Sequence, residues 1–220
     1  LDAPVTVAGW QPRNYDGRYR GRLTLGDALA GSVNTAAVRI SEKAGRRKVV
    51  ALAERLGITS RLKAHPSIAL GASEVSLLEM TAAYAVIANH GLAAWPYGII
   101  EIRDGDGKLL YRRSAGSAGR LIEPKTVARM QLMLKGVIDH GTGKAAKLAR
   151  PAAGKTGTSQ DFRDAWFIGF TNELVTGVWL GNDNSSPTKR VTGGSLPAIL
   201  WRRYMTDALK GAPPRSLMTK

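Results

Sequence analysis

The 220 residues predict an α+β fold: an antiparallel sheet covered by helices, with a helical subdomain. Three observations carry this. The stretch "DAWFIGFTNELVTGVWLGND" holds two β-type runs, 165–171 and 174–181, separated only by Asn172 and Glu173. That spacing is a tight hairpin. The stretch "SLLEMTAAYAVIANHG" is helical: Ser76 and Glu79 form a capping box, and Gly91 follows the last turn. The third observation is "SLPAILWRRYMTDALKG", an amphipathic closing helix with a polar tail after Gly211.

The remaining elements follow in chain order. In "TLGDALAGSVNTAAVRISEKAG", Thr24 is an N-cap with Asp27 three residues on. Apolar residues then recur at helical spacing through Ile40, and Gly45 suits a helix end. Ser32 and Asn34 interrupt the apolar stripe, because such side chains compete with helical hydrogen bonds. They mark a turn between two helices, or Ser32 caps the second of them. "RRKVVALAERLG" is a short helix ending at Gly57, "YGIIEIRDGDGKLLYRR" a hairpin around 104–107, and "EPKTVARMQLMLKGVIDHG" another helix. The glycine- and serine-rich "SAGSAG" at 114–119 is too short to divide the chain. The length suits one domain with four parts. These are a mainly helical part at 1–95, a hairpin and helix at 96–150, a strand, hairpin and helix at 151–210, and a tail at 211–220.

The net charge of +15 favours anionic surroundings: nucleic acid, anionic lipid or an acidic polymer. The basic residues are scattered, and aromatics do not alternate with them, which argues against a nucleic-acid module. With no cysteine, disulfides and thiolate metal sites are excluded. The three histidines, His65, His90 and His140, lack metal-ligand spacing and sit near element ends. No metal or other cofactor is expected. A Ser-His-Asp triad is improbable, so an enzyme here needs another general base, and lysine is the candidate.

The segment "AAGKTGTSQDF" offers that lysine. Between Gly154 and Gln160 no side chain can fill a core. The segment is a glycine-rich solvated loop or a strand that faces a ligand. It leads into the 165–181 hairpin, so the strand reading places Lys155, Thr156 and Thr158 along an exposed edge. Gly157 then removes a side chain where a ligand or a backbone can approach.

Ser-x-Asn followed far downstream by Lys-Thr-Gly on a strand is the order of penicillin-binding proteins and serine β-lactamases. Longer stretches resemble the transpeptidase domain of class A penicillin-binding proteins. They are "GWQPRNYDGRYRGRLTLGDALAGSVNTAAVRI", "ALGASEVSLLEMTAAYAVIANHG", "GTGKAA", "AAGKTGTSQDFRDAWFIGFT", "VTGVWLGNDN" and "TGGSLPAILWRRYM". The resemblance covers nearly the whole chain. It implies acyl transfer on a stem peptide ending in D-Ala-D-Ala, with β-lactams as donor mimics. It also implies work at the outer face of a bacterial inner membrane, held by an anchor outside these residues. By this resemblance Ser32 relays a proton, and Asn34 holds the donor and a second lysine. Lys155 supplies positive charge near Ser32, while the Thr156 and Thr158 hydroxyls take the donor carboxylate. Gly157 lets the donor lie against the strand as an added β-strand. The Thr158 N–H forms half of an oxyanion hole.

One departure stands out. The family's Ser-x-x-Lys, which carries the nucleophile, should precede Ser32, and residues 1–31 contain none. The two matches, "SRLK" at 60–63 and "SPTK" at 186–189, come later, in loop-like sequence. Both are read as accidental. The expectation is therefore a domain incomplete at its N-terminus, with no nucleophile in this chain and no activity alone. Its sheet edge is expected to be covered by homodimerisation, swapped elements or its own missing N-terminal part. A β-lactamase-like or penicillin-sensing domain is the nearest alternative, and a basic polyanion-binding module the alternative of another class. Class A β-lactamases need a dedicated deacylating glutamate, and the glutamates between Asn34 and Lys155 fall within helices or strands.

Overall fold

The computed structural model describes residues 1–114 and 119–217. The middle of "SAGSAG" thus lies outside the described residues. The described helices are α1 (Leu25–Ala30), α2 (Asn34–Ala44), α3 (Arg46–Arg55), α4 (Leu77–Ala88), α5 (Pro124–Asp139) and α6 (Leu196–Ala208). The strands are β1 (Glu101–Arg103), β2 (Leu109–Arg112), β3 (Ala153–Thr158), β4 (Asp164–Phe170) and β5 (Val175–Gly181). β1 and β2 form a separate hairpin; the main sheet is antiparallel in the order β3-β4-β5.

Local chemistry sets the element ends. The Thr24 hydroxyl accepts from the Asp27 N–H at 3.0 Å, capping α1. Gly45, at φ 94°, ends α2 and starts α3, a conformation that costs glycine nothing. α4 carries the capping box foreseen at Ser76 and Glu79. Glu79 does more than cap: its carboxylate also accepts from the N–H and hydroxyl of both Thr59 and Ser60, at 2.6–2.7 Å. The Thr59 hydroxyl, with Ser76 and Ser60, holds this carboxyl far below the usual range. The serine of "SRLK" is thereby spent on a structural bond.

Helices cover both faces of the main sheet. Ala153 pairs with Phe170, Lys155 with Ile168 and Gly157 with Trp166, so these six share one face. α5 crosses β3 there, α4 lies over β5, and α1 packs on α5. Thr156 and Thr158, paired with Phe167 and Ala165, point to the opposite face, which α6 covers. Trp201 of α6 is fully buried, edge-on to Phe167 with ring centroids 5.2 Å apart. Its N–H donates to the carbonyls of Gly169 and Thr176 at 3.3 and 3.1 Å, so the polar tip is satisfied. A Cβ on Gly169 would lie 2.8 Å from that indole, so only glycine lets α6 this close.

The polar tail beyond Gly211 packs back on the sheet at 216–217. Leu217 is buried against Leu134, Ala153 and Phe170, and Asn172 donates to the Ser216 carbonyl at 3.0 Å. One leucine in a polar stretch found a gap beneath β3. Lys155 and the two threonines leave β3 on opposite faces, as strand alternation requires. Among the described residues no helix is long and apolar enough to cross a membrane.

Candidate active site

Ser32 sits in the turn between α1 and α2, exposed, with φ at 52°. Serine rarely adopts this left-handed conformation, and residues held in it gather at functional sites. Ser32 does not cap α2: the N-cap is Val33, which makes no side-chain cap bond. Of the two readings left open by the sequence, the turn is the one observed.

The structure brings Ser32 and Lys155 together across 123 positions of chain: Lys155 Nζ donates to Ser32 Oγ at 2.9 Å. The same ammonium donates to the Thr156 carbonyl at 3.0 Å. Lys155 is half-buried by area, but its ammonium is packed among protein atoms, and that desolvation lowers its pKa to about 8. No carboxylate forms an ion pair with it among the described residues. A protonated amine without a counter-ion is prepared to receive an anion. Asn34 opens α2 two residues after Ser32, and its Nδ2 donates to the Arg13 carbonyl at 2.8 Å.

β3 contributes main chain as well. The Ser159 N–H donates to the Asp164 carbonyl at 2.9 Å, in register with the β3–β4 ladder. Hydrogen-bonded pairs alternate in an antiparallel ladder, so Gly157 and Lys155 bond to β4. The N–H and C=O of Thr156 and Thr158 then point outward from the strand, which is an edge of the described sheet. This is the arrangement that a donor strand or an oxyanion needs.

Two loops hold the threonine hydroxyls. Thr158 Oγ1 accepts from the Gly193 N–H at 3.0 Å, which leaves its single proton free to donate outward. Thr156 Oγ1 lies 2.7 Å from Thr142 Oγ1. Gly193 packs flat on the ladder: a Cβ there would come within 2.2 Å of the Trp166 carbonyl and 2.5 Å of the Gly157 carbonyl. Gly193 thus approaches the backbone of Gly157 on the Thr158 face, opposite the side that the missing Gly157 side chain leaves open. A Cβ on Gly157 itself would sit 3.2 Å from Trp166 Cβ, a tight fit on the Lys155 face. Reading the sequence missed Thr142 and Gly193, although both lie in the resembling stretches "GTGKAA" and "TGGSLPAILWRRYM".

The other candidates stand apart. His65 precedes a short 3-10 turn, and His140 ends α5. Ser186 lies in a surface turn, its N–H donating to Asn184 Oδ1 at 3.0 Å.

An outward-facing strand, a serine in a left-handed turn and a desolvated lysine bonded to that serine make up the candidate site. The chain belongs to the penicillin-binding protein transpeptidase domain family, whose model matches residues 2–196. It is 41% identical over 204 residues to penicillin-binding protein 1A of Aquifex aeolicus (strain VF5), covering 92% of this chain and 28% of that protein. To penicillin-binding protein 1A of Neisseria meningitidis (serogroup B, strain MC58) it is 38% identical over 225 residues, covering 96% and 28%. The chain therefore spans under a third of the length of these relatives. Among solved structures, PonA1 of Mycobacterium tuberculosis in complex with penicillin V superimposes with a TM-score of 0.89 at 26% identity, over 99% of this chain and 65% of that one. Penicillin-binding protein 1A of Haemophilus influenzae gives 0.88 at 28% identity, over 100% and 39%.

Proposed function

We propose that these residues form the Ser-x-Asn and Lys-Thr-Gly half of a D,D-transpeptidase site that cross-links peptidoglycan stem peptides through an acyl-enzyme and accepts β-lactams as donor mimics. The observation that carries it is the 2.9 Å contact between Lys155 Nζ and Ser32 Oγ beside the outward-facing main chain of β3. The donor adds along β3, and its carboxylate meets the Lys155 ammonium and the Thr158 proton released by Gly193. Asn34 holds the donor backbone. The Thr158 N–H supplies one oxyanion donor, worth about 2.7–4 kcal/mol in the transition state. Ser32, bridged to Lys155, relays the proton to the leaving amine.

The attacking serine belongs to a Ser-x-x-Lys outside these 220 residues. Ser60 is engaged by Glu79 and Ser186 lies in a remote turn, so neither replaces it. The net charge of +15 suits work beside anionic lipid and wall polymer, at the outer face of the inner membrane.

The test is fluorescent penicillin followed by peptide mass spectrometry. The 220-residue chain alone should take no label, and the full polypeptide should take one equivalent on the Ser-x-x-Lys serine. Stoichiometric label on Ser32, Ser60 or Ser186 would overturn the assignment.

A further inference from the structure

Two residues of the loop at 10–22 grip the turn that carries Ser32 and Asn34. The Arg13 carbonyl accepts from Asn34 Nδ2 at 2.8 Å, and Asn14 Oδ1 accepts from the Thr35 N–H at 3.3 Å. α2 has no side-chain cap of its own, so Asn14 serves that end from 21 positions upstream. Asn14 is itself fixed: its Nδ2 donates to Asp2 Oδ1 and to the Arg18 carbonyl, both at 2.7 Å. Asp2 also accepts from the Thr35 hydroxyl at 2.6 Å and the Arg20 N–H at 2.9 Å.

Asp2, Asn14 and Thr35 are 1%, 6% and 0% exposed. Burial works to raise the Asp2 pKa, but the bonds from Thr35, Asn14 and Arg20 outweigh it and keep the carboxylate ionised. A negative charge beside the first turn of α2 also suits the helix dipole. A buried polar network is costly when partly satisfied and fixes one geometry when fully satisfied. This one is closed on all three members, and none of them faces the substrate edge. What it holds is the Ser32 turn, whose left-handed backbone persists only where its surroundings over-determine it.

We propose that Asn14 and Asp2 are positioning residues for acyl transfer: acting through Thr35 and Asn34, they keep the Ser32 turn where Ser32 Oγ meets Lys155 Nζ. This rests on the transpeptidase reading of the site. A misplacement of about 1 Å at reacting groups costs on the order of 10²-fold in rate.

The experiment uses the full polypeptide that supplies the nucleophile. Asn14→Ala should slow fluorescent-penicillin acylation about 10²-fold, mainly in the acylation rate constant rather than in prior binding. The pKa of Lys155, read by competitive amine labelling and peptide mass spectrometry, should rise from about 8 towards the ordinary lysine value as the turn detaches. Asp2→Asn and Asn14→Asp should each be slow, and the double variant should recover part of the rate, because it regains one mutual hydrogen bond, with its direction reversed so that position 2 donates to position 14. Thr35→Val keeps the shape and removes only the hydroxyl; it should lose about tenfold, and it carries the test if Asn14→Ala does not fold. A folded Asn14→Ala, or in its place Thr35→Val, with unchanged acylation and unchanged Lys155 pKa overturns the proposal. So does a fall in melting temperature alone. If instead Lys155→Ala acylates at the parent rate, the transpeptidase reading fails, while the Lys155 pKa still reports whether Asn14 holds the turn.

Discussion

Trp201 and Lys155 lie on opposite faces of one three-stranded sheet, and the two faces follow different rules. On the α6 face each group has what it needs: Trp201 is fully buried, its N–H has two carbonyls, and Phe167 meets it edge-on. On the Lys155 face an ammonium is desolvated without a counter-ion among the described residues, next to a serine in a left-handed turn. The difference teaches where the molecule is built to be stable and where it is built to act. Local rules agree throughout a core and break at a site, and the core sustains the strain of the site.

The largest expected effect breaks the stable face. Trp201→Ala should cost about 3–5 kcal/mol by urea unfolding, since it removes a buried indole and leaves a cavity under β4. A loss below 1 kcal/mol would mean that the two faces do not differ in this way. Next comes the active face: Lys155→Ala in the full polypeptide should slow β-lactam acylation about 10²–10³-fold, the scale of one preorganised electrostatic donor. Its melting temperature should not fall; a large fall with normal acylation would make the lysine structural.

A sharper form of the same contrast concerns stability. The Lys155 pKa is lowered to about 8 from the ordinary 10.5, so between those values the unfolded chain holds more protons than the folded one. Below pH 8 both states are protonated and the desolvation cost is carried in full; it fades as pH rises towards 10.5. Lys155→Met should therefore stabilise the chain at pH 7, by an amount on the order of 1–3 kcal/mol, and the gain should shrink at pH 10. Equal gains at both pH values would refute the desolvation account. The smallest effect is Ser32→Gly, expected to add about 1 kcal/mol by relieving the positive φ while abolishing the contact with Lys155. Thermal melts and acylation on one sample would show whether stability and function move in opposite directions there.

How much of this was legible depended on the range of the interaction. The capping box at Ser76 and Glu79 and the hairpin turn at Asn172 and Glu173 are local, and the sequence carries them directly. The Ser32–Lys155 contact spans 123 residues and was readable only through resemblance to a family. The lysine's depressed pKa, the glycine that must lie flat on β3 and the asparagine that caps α2 from outside were not readable. Each depends on what a distant segment places alongside, and no spacing or composition encodes that. Strand alternation was legible too: Lys155 and Thr158 point to opposite faces of β3, as their spacing requires.

Leu217 gives the chain a schedule. The cluster beneath the strand that bears Lys155 takes members from Leu134, Ala153, Phe170 and Leu217, so it cannot close until the last of these has been made. Synthesis runs from the N-terminus at about 5–20 residues per second, which leaves Ala153 waiting roughly 3–13 s for its partner. During that interval Phe170 has no cover from this direction, and the nascent chain is a client for whatever shields apolar segments as they emerge. The floor beneath the Lys155 strand is thus finished only after the main sheet and α6 have been made.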